Sequence, residues 1–247
     1  MKRRIFLQIA YDGTNYHGWQ IQKNAVSVEG VLQKALQELL QENIELIGAS
    51  RTDAGVHAMG NAAVFDTDTR IPAEKIAYAV NRYLPEDIVV QSSKAVPGDF
   101  HPRYADSRKT YEYRILNTRF PNPILQKYMH FYYGKLDVES MKEAAGYIVG
   151  EHDFASFCAA GAQVQTTVRR VYSMDVGREK DVITLSICGN GFLYNMVRII
   201  AGTLIEVGSG KIPPGQMKEI IDGCDRSLAG ATAPAKGLHL VRIDYER

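Results

Sequence analysis

The sequence predicts an α+β fold made of two ferredoxin-like βαββαβ halves with antiparallel sheets, over residues 1–105 and 106–247. Three observations carry that expectation. At 247 residues the chain has room for two compact units, taking roughly 100–200 residues per domain. Strand-like and helix-like patterns alternate as β-α-β-β-α-β through the first hundred residues. After the Pro/Gly-bearing segment "VPGDFHPRYADS" the same order recurs.

Residues 4–10 read as the first strand and open into the loop "YDGTNYHGWQ". A helix is expected at 28–42, where Val28, Val31, Leu32, Ala35, Leu36, Leu39 and Leu40 recur at helical spacing behind Ser27 as N-cap. "IELI" and "NAAVF" read as strands, "PAEKIAYAVNRYL" (72–84) as a helix opened by Pro72, and "DIVVQSSKAV" as a strand. In the second half "KTYEYRIL" alternates, with Tyr111, Tyr113 and Ile115 on one face. A helix is expected at 137–150. The strands "VRRVYSMDV" and "VITLSIC" follow, meeting at a "GREKD" turn. A long helix at 192–207, a shorter one at "PGQMKEIIDG" and the closing strand "LHLVRIDY" complete the order.

Composition narrows the function classes. With 45% hydrophobic and 23% charged residues, the chain is an ordinary globular protein. No apolar run approaches the roughly 18 residues of a membrane span, and the basic start "MKRRIFLQIAYDG" lacks an uninterrupted apolar core, so a cytoplasmic location is expected. Cys158, Cys188 and Cys224 are far apart and form no C-x-x-C pair, which argues against zinc and a disulfide framework. "GSGK" (208–211) fails as a phosphate loop, because its first glycine is missing and Ile212 stands where Ser or Thr is needed. Net charge is only +1, yet basic residues cluster at Lys2-Arg3-Arg4, Arg108-Lys109 and Arg169-Arg170, with Arg51, Arg103 and Arg198 as single points.

The segment "GASRTDAGVHA" (48–58) falls between two apolar strands. In one reading Asp53 is a turn residue, Arg51 a surface charge and His57 a strand cap. In the other, Asp53 is a nucleophile or base on a rigid loop whose small neighbours Ala49, Ser50, Ala54 and Gly55 admit a substrate. An ionised carboxylate in a cleft needs a nearby cation. Arg198, the one cation inside an apolar helical run, is the candidate, and its expected mid-helix position argues against snorkelling. Asp53 and His57 at i, i+4 would share a metal only on a helix, which the glycine-bearing loop is not.

This loop resembles the catalytic loop of the tRNA pseudouridine synthase A family, whose pattern centres on G-R-T-D-A-G-V-H. "YDGTNYHGWQ", "DFHPRYADSRKTYEYRILN", "GEHDFASF", "NGFLYNMVRIIAG" and "ATAPAKGLHLVRIDY" resemble other segments of that family, in order, from about Ile9 to Tyr245. Ser50 departs from the pattern, standing where glycine is usual, and is expected to be tolerated.

The resemblance implies a pseudouridine synthase fold around a central cleft. It also implies a cofactor-free isomerisation of uridine to pseudouridine at positions 38, 39 and 40 of the tRNA anticodon stem-loop. Asp53 matches the catalytic aspartate, Arg198 its paired arginine, and Tyr111 the tyrosine that stacks on the uracil. Arg51 matches the residue that steers the vacated space, Leu193 and Met196 the apolar packing around the base, and His57, the last position of the loop pattern, is expected to bind substrate. Homodimerisation, with one tRNA touching both subunits, is implied too. Two other readings compete. One is a non-catalytic RNA-binding protein keeping Tyr111 and the basic pairs; the other is a hydrolase using Asp12 and Asp53, which would release free uracil.

Overall fold

The computed structural model describes residues 2–161 and 164–246. The chain is α+β, with mostly antiparallel strand pairing. It divides into two compact units, one comprising residues up to Ser107 together with those from Leu240 onward, the other Arg108–His239. The last strand, although it follows the C-terminal half in sequence, thus lies almost wholly in the first unit.

In the first unit the elements are β1 (Arg3–Tyr11), α1 (Val28–Leu40), β2 (Ile47–Gly48), β3 (His57–Thr67), α2 (Ile76–Val80) and β4 (Ile88–Val96). Its strands run in the order β4-β1-β3, with the short β2 also on β3. Both β1 pairings are antiparallel, and Ile5, Leu7 and Ile9 are fully buried. On α1, Val28, Leu32, Ala35 and Leu36 form the buried stripe, and the Ser27 hydroxyl accepts from Gly30 N–H as the expected N-cap. The helix expected over 72–84 is reduced to a 3₁₀ turn at Ala73–Lys75 and the five residues of α2. Asn81 ends it: its side-chain amide donates to Val90 O at 2.9 Å and accepts from Val90 N at 2.8 Å. Those bonds occupy backbone groups of β4, so tertiary pairing overrides helix propensity.

The second unit contains β5 (Ser107–Leu116, its first residue in the first unit), β6 (His130–Phe131), α3 (Val138–Gly146), β7 (Gly150–Asp153), β8 (Val168–Glu179), β9 (Val182–Gly189), α4 (Met196–Gly208) and α5 (Gln216–Asp222). The closing strand β10 spans Leu238–Tyr245. Strand order is β5-β9-β8-β7, with β6 parallel to β5. The sequence reading missed β7, whose "GEHD" has no apolar alternation, and began α4 four residues too early. Asn195 adopts left-handed backbone (φ 60°) and starts the helix at Met196.

Candidate active site

The loop between β2 and β3 is fixed by backbone groups. Asp53 O accepts from Val56 N at 3.1 Å, closing a turn in which Gly55 has φ +76°. A second loop, the "DGTNYHGW" run after β1, cradles this turn: Trp19 N donates to Thr52 O at 3.0 Å and Gly55 N to Tyr16 O at 3.2 Å. The fit is close. A Cβ on Gly13 would stand 2.0 Å from the Val56 carbonyl oxygen, so only glycine fits there. Side chains complete the support: the Tyr11 and Thr52 hydroxyls are 2.6 Å apart, and Asn61 Nδ2 donates to Ser50 O at 3.1 Å. Ser50 is buried and is not among the residues with positive φ, so its position imposes no need for glycine.

On this scaffold Asp53 is half-buried and Arg51 is exposed. His57, the first residue of β3, is only 3% exposed. Its Nδ1 lies 3.1 Å from Gly13 N and 3.1 Å from an Asp12 carboxylate oxygen. The Gly13 amide is directed at this nitrogen, and the Asp12 carboxylate stands beside the same atom. Direct substrate contact by His57 does not fit that burial, because the ring braces the cradling loop from beneath. Asp12 is likewise occupied, capping the Gly13–Asn15 turn through Thr14 N at 2.9 Å.

In the second unit, Arg198 lies in the first turn of α4 and not mid-helix as the sequence pattern implied. A cation there opposes the helix dipole and gains from nearby acceptors or an anion. Its Nε donates to Ala233 O and its Nη1 to Asn195 Oδ1, both at 2.8 Å. Gly202 makes this possible, since a Cβ there would meet Ala231 O at 1.7 Å and push the 231–233 segment away from the helix. Tyr113 donates its hydroxyl to Pro234 O at 2.9 Å. Burial raises its pKa well above the usual phenol value, an effect the Arg198 charge opposes, so it stays neutral.

Tyr111 sits on β5 opposite Ile187, 7% exposed, with the Phe192 ring edge-on at 5.2 Å. Leu193, 5% exposed, and the fully buried Met196 follow Phe192. Residues 192–196 therefore link the aromatic platform to the arginine. Arg51, Asp53 and His57 belong to the first unit; Tyr111, Leu193 and Arg198 belong to the second.

The basic pairs divide by use. Arg4 makes two 2.8 Å bonds to Asp66, which hold that carboxyl below the usual carboxylate range, and Arg3 donates to Thr69 O and Ile71 O. Arg169 donates to Thr166 O and Val168 O. Arg108 and Arg170 instead flank the half-exposed Tyr172 ring at 4.7 and 5.9 Å. Among the described residues, no three His, Cys, Asp or Glu side chains converge as metal ligands, and no helix is long and apolar enough to cross a membrane.

A family model described as tRNA pseudouridine synthase matches residues 8–105 and 144–246. A protein of Ruminiclostridium cellulolyticum named tRNA pseudouridine synthase A is 53% identical over 244 residues, covering 98% of this chain and all of that protein. One of the same name from a Thermoanaerobacter species is 50% identical over 243 residues, with 98% and 100% coverage. The Clostridium tetani protein named tRNA pseudouridine synthase A 2 is 45% identical over 247 residues, with 99% and 100% coverage. By the matched segments and by full-length identity, this chain belongs to the tRNA pseudouridine synthase family.

Proposed function

We propose that the chain isomerises uridine to pseudouridine in tRNA, at positions 38, 39 and 40 of the anticodon stem-loop, with Asp53 as nucleophile and no cofactor. The observation that carries this reading is the half-buried Asp53 on a loop fixed by backbone bonds, in a chain of this family. In the reaction the C1′–N1 bond breaks, the uracil turns, C5 bonds to C1′, and the proton lost from C5 is matched by one gained at N1. Atoms and electrons balance without an oxidant. Asp53 supplies the carboxylate that activates the nucleoside, and its backbone-held turn keeps the reacting group in place without reorganisation. Arg198 keeps that carboxylate ionised. Tyr111 stacks on the extruded base and assists proton removal from C5, with Leu193 beside it, while Arg51 engages the RNA where the base has left.

The architecture in this reading is a pair of ferredoxin-like halves, residues 1–105 and 106–247. The β4-β1-β3 order with β2 on β3 supports that description for the first of them. The Arg108–Tyr172–Arg170 cluster supports an electrostatic, shape-read RNA contact whose affinity falls with salt. The enzyme works as a cytoplasmic homodimer, and sedimentation of the purified chain checks the dimer.

The deciding experiment follows tritium release from tRNA carrying 5-tritiated uridine, with free uracil assayed in parallel. Wild type releases label and no uracil, and Asp53→Asn loses roughly 10³-fold or more of the rate. Free uracil would identify a hydrolase instead. Binding without any release would leave an RNA-binding protein.

A further inference from the structure

Beside Arg51, the first unit carries two further RNA-type side chains, Arg103 and Tyr104, that the reaction does not use. Arg103 Nη2 donates to Gly48 O at 3.3 Å, which brings its guanidinium to the residue that opens the Asp53 loop. Arg51, three residues further on, is exposed and holds no hydrogen bond or ion pair among the described residues. The two guanidiniums are near enough to oppose each other's charge, which, after burial, is what lowers the Arg103 pKa. Glu29 is the acid both feel, and it is already occupied: its carboxylate accepts from Trp19 Nε1 at 3.2 Å and Ile21 N at 3.1 Å, and burial pushes its pKa up. Two arginines therefore share one committed acid, an arrangement that favours an added anion.

An aromatic platform stands beside them. Tyr104 stacks on His101 with ring centroids 4.2 Å apart and planes 25° from parallel, and it is 78% exposed. The turn presenting it is fixed. Tyr104 N and Ala105 N both donate to His101 O, Arg103 N donates to His101 Nδ1, and the Tyr245 hydroxyl donates to Pro102 O. A large, ordered aromatic side chain left open next to paired guanidiniums is the combination that binds a nucleotide by its base face and phosphate together.

We propose that Arg51, Arg103 and Tyr104 form a subsite for one nucleotide flanking the modified uridine, its phosphate on the guanidiniums and its base stacked on Tyr104. The subsite rests on the tRNA reading above. It lets the enzyme grip the strand beside its target without reading base identity, since every base has a stacking face and every linkage a phosphate.

The test compares full-length wild type, Tyr104→Ala, Arg103→Gln and Arg103→Lys for binding to an anticodon stem-loop RNA across a salt series, and for KM and kcat with tRNA. Tyr104→Ala is expected to weaken binding about tenfold and to act mainly on KM. Arg103→Gln is expected to lower the salt slope by about one, and Arg103→Lys to restore the slope but only part of the affinity. RNA with a neutral methylphosphonate at one flanking linkage should bind wild type more weakly, and the loss should be smaller in Arg103→Gln, which keeps only the Arg51 contact. Thermal unfolding shows that the variants are folded. Because Tyr104 lies at the surface, its result stands even if Arg103→Gln is unstable. Wild-type affinity and salt slope in both Tyr104→Ala and Arg103→Gln would overturn the subsite while pseudouridine formation continued. A wild type that neither binds nor modifies tRNA would overturn the underlying reading with it.

Discussion

Asp53 and Arg198 are held in opposite ways. The turn carrying Asp53 is fixed through backbone groups, with Trp19 N on Thr52 O, Gly55 N on Tyr16 O and Val56 N on Asp53 O. Arg198 is fixed through its own guanidinium, which donates to Ala233 O and Asn195 Oδ1. Backbone-held geometry tolerates changes of side chain along the loop, as Ser50 illustrates. Geometry held by a guanidinium fork depends on that fork.

The largest expected effect comes from breaking the backbone fit. Gly13→Ala sets a methyl 2.0 Å from the Val56 carbonyl oxygen, and Gly202→Ala sets one 1.7 Å from Ala231 O. Each should cost about 3 kcal/mol by overpacking, measured by denaturant unfolding. Among molecules still folded, Gly13→Ala should disturb the Asp53 loop and Gly202→Ala the Arg198 side, a separation readable in amide exchange of the two segments.

Arg198→Lys sharpens the comparison through side-chain chemistry. A lysine keeps the charge but cannot bridge Ala233 O and Asn195 Oδ1 with the same planar fork. Under the proposed mechanism kcat should fall about 100-fold, a loss of the size seen when one preorganised electrostatic contact is removed. The unfolding midpoint should move far less than in the glycine variants. The smallest effect is expected from Tyr113→Phe, which removes the hydroxyl on Pro234 O next to the Arg198 anchor. A stability loss of about 1 kcal/mol, measured by urea unfolding, would fit a single lost hydrogen bond.

Much of the fold was legible because hydrophobic period and capping chemistry are local. The α1 stripe and its Ser27 cap are found as read, as is β10 over "LHLVRIDY". Errors arose where distant groups intervene. Helix α2 stops at Asn81 because that side chain bonds the backbone of β4, and α4 starts late because Asn195 turns left-handed beside the segment that holds Arg198. Among site residues, the tight setting of Asp53 between small neighbours was visible in the loop itself. The burial of His57 was not, because its covering loop lies some forty residues earlier in the chain. Arg103 stood in the sequence as a single basic residue. Its meaning depends on Gly48 and Arg51, and no local pattern connects them.

By itself, then, the sequence determined most of the element types and their order, the small-residue loop around Asp53, and the family resemblance. Periodicity, turn chemistry and motif spacing all operate over a few neighbouring residues. Only the tertiary structure decided which glycines must be glycine, which arginines are spent on carbonyls or on Asp66, and which histidine is buried. Those outcomes depend on atoms within a few ångströms in space that are tens of residues apart along the chain.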